Sequence, residues 1–214
     1  MTKILKIDTL LTEVQLKEVA SCLLSGGIVV YPTETVYGMG CIPNFPGSVE
    51  RIFSIKKKSR SPVILLVKFE HLSYIVKDYE RLSGIFSMLA GKAVSFVVRP
   101  AVAFPRIVLS DAGKLAVRVS PVPLVEQIIS RIDSPLVSTS FNISGEPPIT
   151  VIDSVDWSRF PGVDIALDAG EIEAVPSTVL DITDFPRQVV VIREGKFGLK
   201  LLRSLLGGVR VEKA

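Results

Sequence analysis

The chain has 214 residues, 48% of them hydrophobic, with a net charge of +3 and a single histidine. That length is within reach of one α/β domain with a sizeable core. One imidazole excludes a multi-histidine metal centre and leaves any Ser-His-Asp hydrolase dependent on His71 alone, while the mild positive charge permits nucleic-acid binding without arguing for it.

In chain order, Asp8 and Glu13 interrupt the opening segment before a signal peptide could form. Thr12-x-x-Gln15 is a capping box, predicting a helix whose apolar face is Leu16, Val19, Ala20 and Leu23. Gly26 and Gly27 end it in the position of a left-handed cap. "IVVY" reads as a short buried strand, and Pro32, which has no amide hydrogen, forces a turn. A helix is expected over about 48–57 with Val49, Ile52 and Phe53 inward, then a strand over 63–67 that is apolar on both faces. His71 follows at that strand's end, where a structural or surface role is expected. A helix over 79–89 comes next, and further strands are expected over 93–98, 115–119, 135–140, 163–168, 177–182 and 188–193. Helices are expected near 123–132 and 198–206, and the tail "GGVRVEKA" reads as frayed and polar. Elements of both kinds alternate over the whole length, so residues 1–214 are expected to form one α/β domain with a large mixed sheet. No apolar run approaches the roughly 18 residues of a membrane span. Cys22 and Cys41 fit neither a disulfide framework nor a zinc site, so a cytoplasmic setting is expected.

Three stretches could carry chemistry. "VVYPTETVYGMGC" leaves a strand and presents Thr33, Glu34, Thr35 and Tyr37 before Gly38 and Gly40, which allow close backbone approach. Both a ligand pocket at a strand end and a plain polar turn fit it. "IFSIKKKSRSPVILLV" bunches Lys56, Lys57, Lys58 and Arg60, which could hold a triphosphate or merely complement a helix dipole. "PLVSTSFNISGEPPIT" repeats the first design, with Ser138, Thr139, Ser140, Asn142 and Ser144 after an apolar strand. No P-loop, dinucleotide fingerprint or nucleophile elbow occurs.

Together these three stretches, with "LAVRV" around Arg118, "PSTVLDI" around Ser177 and "VVVIREG" around Arg193, resemble the YrdC/TsaC family from about residue 26 to 195. The resemblance implies a YrdC-like twisted mixed α/β sheet flanked by helices around a basic concave cavity, in the short form without an extra C-terminal domain. It implies a nucleotidyltransferase: threonylcarbamoyl-AMP synthesis from L-threonine, bicarbonate or CO2, and ATP with Mg2+, releasing pyrophosphate. The product would serve N6-threonylcarbamoyladenosine formation at tRNA position 37 through downstream threonylcarbamoyl-transfer proteins. By motif, Thr35, Arg118, Ser138 and Ser177 would contact threonine. Lys56, Lys58, Ser140 and Asn142 would be catalytic, and the same four with Arg60 and Arg193 would face ATP. Glu34 would sit near the magnesium ion.

Against the family pattern, Lys58 or Arg60 stands for an arginine, Leu66 for a histidine, "LAGKAVSF" with Ala93 for a Trp-Pro-Gly-Pro segment, and Phe141 for a small residue. The chemistry implied needs little covalent help, only two anions brought together with their charge spread. The alternative reading is a module binding tRNA or another structured, double-stranded RNA, with weak or altered nucleotidyl activity. A second is carbamoyl-adenylate chemistry on another acceptor.

Overall fold

A computed structural model describes residues 1–58 and 63–214. The elements run β1 (Lys3–Lys6), α1 (Glu13–Leu24), β2 (Val29–Tyr31), β3 (Gly38–Cys41), α2 (Pro46–Ile55), β4 (Ile64–Val67), α3 (Leu72–Ile75), α4 (Tyr79–Leu89) and β5 (Val94–Val98). They continue as β6 (Leu115–Val119), α5 (Pro123–Ile132), β7 (Leu136–Ser140), β8 (Ile165–Asp168), β9 (Thr178–Asp181), β10 (Gln188–Arg193), α6 (Leu199–Leu205) and β11 (Arg210–Lys213). The strands join one twisted mixed sheet in the order β1-β8-β2-β3-β7-β4-β6-β5-β9-β10-β11.

Period-two side-chain alternation sorts the core into two layers. Val29, Tyr31, Leu66, Leu136 and Leu167 pack with Leu16, Val19 and Leu23 of α1 and with Leu124, Ile128 and Ile129 of α5. Their neighbours Val30, Leu65, Val67 and Val137 point the other way, onto α2, α3, α4 and α6 through Ile52, Phe53, Ile75, Phe86 and Leu202. Each fully buried aliphatic or aromatic side chain of this kind contributes roughly 1.5–3 kcal/mol. The capping box at α1 forms as expected: Thr12 Oγ1 accepts from Gln15 N at 3.3 Å, and Thr12 N donates to Gln15 Oε1 at 3.0 Å. Gly26 follows the helix at φ +80°.

The structure departs from expectation in three strands. Lys3–Lys6 forms edge strand β1, parallel to β8, although its four residues carry too short a pattern to read. Gly38–Cys41 is a strand rather than the end of a turn. "GMGC" has poor β propensity, but it lies between β2 and β7, and the glycines are what allow this. A Cβ on Gly40 would stand 2.0 Å from the Val137 carbonyl oxygen and 2.6 Å from the Tyr31 hydroxyl. The tail, expected to fray, contains β11, which pairs in parallel with β10 and adds Gln188 Nε2 to Glu212 Oε2 at 2.6 Å. His71 sits in a short 3-10 turn and is buried beside the ring of Tyr74.

Candidate active site

Helices α1 and α5 cover only part of one sheet face. Over the Ile64 end of β4 and over β6, β5 and β9 the same face stays open, and a cavity of about 870 Å³ lies there, lined mainly by residues of one parity. The register makes this explicit: Gly38 pairs with Ser140, Ile64 with Ser138, and Val97 with Ala116, and all six line the cavity. Arg118, two residues beyond Ala116, points to the same side. Segments 107–111 and 176–177, with Pro148, wall the opening. The expected site at strand termini is therefore partly a sheet-face site, because Arg118, Ser138 and Ser140 lie within strands. The lining mixes apolar side chains and hydroxyls with Lys114, Arg118, Arg193 and Asp111.

The polar groups of "PTETVY" divide their work. Thr33 Oγ1 closes the turn, accepting from the amides of Thr35 and Val36 at 3.2 Å each and donating to Val36 O at 2.6 Å. Thr35 lines the cavity, its hydroxyl accepting from Arg118 Nη1 at 3.1 Å. Tyr37 turns away, donating to Gly170 O at 2.7 Å and accepting from Ala169 N at 3.0 Å. Glu34 reaches back over Arg118: one oxygen accepts from Ser120 Oγ at 2.7 Å, and the other lies 3.5 Å from Arg118 Nε. The carboxylate expected near magnesium is thus engaged with Ser120 and Arg118.

At the opposite wall, Lys56 follows α2 as its C-cap and is 3% exposed. Its ammonium donates to Ser140 O at 2.7 Å, Asn142 Oδ1 at 2.8 Å and Asn142 O at 3.1 Å, with Ser140 Oγ at 3.4 Å. Burial, and secondly the nearby Lys58, lower its pKa to about 8. Ser140 Oγ also donates to Asn142 Oδ1 at 2.6 Å, and Asn142 Nδ2 to Glu146 O at 2.6 Å. Lys56 and Asn142 therefore stand behind the lining and shape the turn that presents Ser140. Lys58 is exposed, and Arg60 lies outside the described residues.

The third wall joins two residues read separately from the sequence. Arg193 Nε donates to Ser177 O at 3.1 Å and Nη2 to Ser177 Oγ at 3.3 Å, while Ser177 Oγ lies 2.9 Å from Ser95 Oγ. Partial burial, then the positive charge of Arg118, lowers the Arg193 pKa. A Cβ on Gly195 would stand 2.2 Å from the Pro176 carbonyl oxygen, so this glycine lets β10 lie close under the Ser177 turn. Thr35, Arg118, Ser138, Ser140, Ser177 and Arg193 all line the one cavity, with Lys56 and Asn142 bound to its Ser140 edge.

Two of the departures from the family pattern point elsewhere. Leu66 is fully buried in the α1/α5 layer, and Phe141 packs between Trp157 and Phe160 at centroid distances of 5.7 and 4.6 Å. Sequence reading missed Lys114, which lines the cavity and binds Asp181 Oδ2 at 2.5 Å, and the wall at 107–111. A lysine directly before a strand was the only available signal for the first. No periodicity marks the second. Among the described residues, no group of three His, Cys, Asp or Glu side chains could hold a metal ion, and no helix is long and apolar enough to cross a membrane.

A family model named Sua5_yciO_yrdC and described as "Telomere recombination" matches residues 21–195. A threonylcarbamoyl-AMP synthase of Pyrococcus abyssi is 28% identical over 218 residues, covering 100% of this chain and 64% of its own length. The chain thus spans somewhat under two thirds of that relative. A threonylcarbamoyl-AMP synthase of Yersinia enterocolitica is 34% identical over 146 residues, 65% of this chain and 76% of the relative. The crystal structure of P. abyssi Sua5 complexed with L-threonine superposes with a TM-score of 0.87 at 28% identity, covering 98% of this chain and 62% of that one.

Proposed function

The chain belongs to the Sua5/YciO/YrdC family, and on that premise we propose that it is a threonylcarbamoyl-AMP synthase, joining L-threonine, bicarbonate or CO2, and MgATP with release of pyrophosphate. The observation that carries this reading is the convergence of Thr35, Arg118, Ser138, Ser177 and Arg193 on one cavity of about 870 Å³, whose Ser140 edge is held by Lys56. That volume falls within the range of small-molecule sites, roughly 300–1,000 Å³. The P. abyssi Sua5 structure with L-threonine supports placing the amino acid in this cavity.

In this reading Arg118 pairs with the threonine carboxylate, and the hydroxyls of Thr35, Ser138 and Ser177 orient the amino acid. The threonine amine, in its unprotonated form, adds to CO2 and gives up a proton to solvent to form a carbamate. The carbamate oxygen attacks the α-phosphorus of ATP as the bond from that phosphorus to the pyrophosphate bridging oxygen breaks and pyrophosphate leaves. The nucleotide lies along Ser140, the turn organised by Lys56 and Asn142, and Arg193, with Lys58 toward the phosphates. Magnesium enters as part of MgATP, held chiefly by phosphate oxygens. Catalysis rests on placing the two anions and on cationic and hydroxyl donors aimed at the charge that develops. Residues 1–214 act as one domain of the family. The adenylate passes to a tRNA-modifying transferase in the cytoplasm.

The test is pyrophosphate release by the purified chain with bicarbonate, MgATP and single amino acids. Release that depends on threonine, with serine and other amino acids weaker, is expected. ATP turnover indifferent to the amino acid sinks the proposal. Tight, salt-sensitive tRNA binding with no pyrophosphate would favour an RNA-binding module instead.

A further inference from the structure

Arg118 and Arg193 place two guanidinium groups at one cavity, and a carboxylate stands behind the first of them. Glu34 Oε1 lies 3.5 Å from Arg118 Nε, yet neither atom makes a hydrogen bond among the described residues, although each is buried. The pair is therefore ionic contact without hydrogen-bond closure. Every other tie on Glu34 fixes its position. Its second oxygen accepts from Ser120 Oγ at 2.7 Å, Ser120 Oγ accepts from Val122 N at 3.3 Å, and Lys196 Nζ donates to the Glu34 backbone carbonyl at 3.1 Å while reaching Glu173 Oε2 at 2.5 Å. On the far side, Arg118 Nη1 donates to Thr35 Oγ1. The guanidinium thus sits in a frame anchored by β6, the threonine turn and the segment after β10, with its charge offset from behind and its cavity side left for a ligand.

We infer that Glu34 is a positioning residue for amino-acid recognition: it aligns Arg118 through Nε and offsets the repulsion between Arg118 and Arg193, without touching the substrate. Losing the carboxylate removes the ionic partner of Arg118 beside a second guanidinium and frees the Arg118 side chain to rotate. This inference rests on the synthase reading for its kinetic form, but the arrangement of Arg118 can be read independently.

The experiment uses the full chain as wild type, Glu34→Gln, Glu34→Asp, Arg118→Ala and the Glu34→Gln/Arg118→Ala pair. Threonine-dependent pyrophosphate release is measured beside threonine calorimetry, together with the side-chain Nε–Hε NMR resonance of Arg118, identified by its loss in Arg118→Ala. Glu34→Gln is expected to raise the threonine KM roughly ten-fold while leaving the ATP KM within about two-fold. Glu34→Asp should recover part of the threonine affinity, and it also serves if Glu34→Gln fails to fold. The double variant should be no worse than Arg118→Ala, and the Nε–Hε resonance should shift and exchange faster in Glu34→Gln. An unchanged threonine KM, or a Glu34→Gln effect that adds in full to Arg118→Ala, overturns the inference. If the wild type neither binds threonine nor releases pyrophosphate, the synthase reading fails instead. The resonance alone then decides: a shifted signal keeps the positioning role, and an unmoved one removes it.

Discussion

Lys56 shows how one residue can look like a ligand contact in sequence and act as an organiser in the fold. Its ammonium has three hydrogens, and carbonyl and amide oxygens of Ser140 and Asn142 take them. Replacing it with methionine removes the donor to the Ser140 and Asn142 carbonyls and leaves Asn142 Oδ1 with Ser140 Oγ alone, which costs about 1–3 kcal/mol. Lys56→Met is therefore expected to stay folded at room temperature, unfold at lower urea and lose most pyrophosphate release. Retained turnover would dissociate the turn from the chemistry. The pH dependence has a definite sign. The folded pKa is about 8 against an ordinary 10.5, so between those values the unfolded chain holds the proton that the folded chain has released. Stability from this group rises with pH across that window. The excess stability of wild type over Lys56→Met should accordingly grow from pH 8 to 10.5, and the Lys56 ζ-nitrogen should titrate near 8 by NMR; a midpoint near 10.5 would contradict the burial argument.

At the scale of the element, β3 exists because its glycines leave room. The Tyr31 ring from β2 and the Val137 carbonyl from β7 both occupy the volume a side chain on Gly40 would need. One of these is backbone held in a ladder on both sides, so relief by a rotamer change is closed. Gly40→Ala should cost about 3 kcal/mol or more in urea unfolding, whereas Gly47→Ala, in α2 with nothing within 4 Å of the new Cβ, should be neutral or stabilising by roughly 0.5–1 kcal/mol. Equal effects at the two positions would refute the steric account. Gly195 follows the same logic under the Ser177 turn, and it couples the placement of Arg193 to the path of the chain after β10.

At the scale of the whole molecule, the cavity is made by what the helices leave uncovered. The α1/α5 layer stops short of β5 and β9, and the open half of that face carries the polar and cationic side chains. A ligand seated there bridges strands from separate parts of the chain, so binding should register as global stabilisation. Threonine at about 100 times its Kd contributes about 2.7 kcal/mol, which for a chain of this size raises Tm by roughly 5–11 °C. Scanning calorimetry with threonine, serine and no amino acid measures this, and a threonine trace matching the ligand-free one would remove the amino acid from the cavity.

How much of this was legible depended on whether the signal was local. The capping box and the 3.6-period apolar face of α1 declare themselves locally, and the strands around Leu65, Val117 and Val137 do so as short apolar runs, signals that neighbouring residues alone produce. The hydroxyl-rich turns and the family motif were equally visible, and they pointed to Thr35, Ser140, Arg118 and Arg193, which line the cavity. What tertiary structure alone decided is how those groups face one another. It set Lys56 behind Ser140 instead of in the lining, joined Ser177 to Arg193, gave Glu34 to Arg118, and turned Phe141 into core. It also made strands of "GMGC" and of the tail, whose weak propensities are overridden by ladders with residues over 20 positions away, such as Gly40 with Ser138 and Arg210 with Gln188. Local composition encodes which segment is helix, strand or turn; strand register, which sets the side-chain face across the sheet, is a property of pairings between distant segments and appears only once the chain has closed on itself.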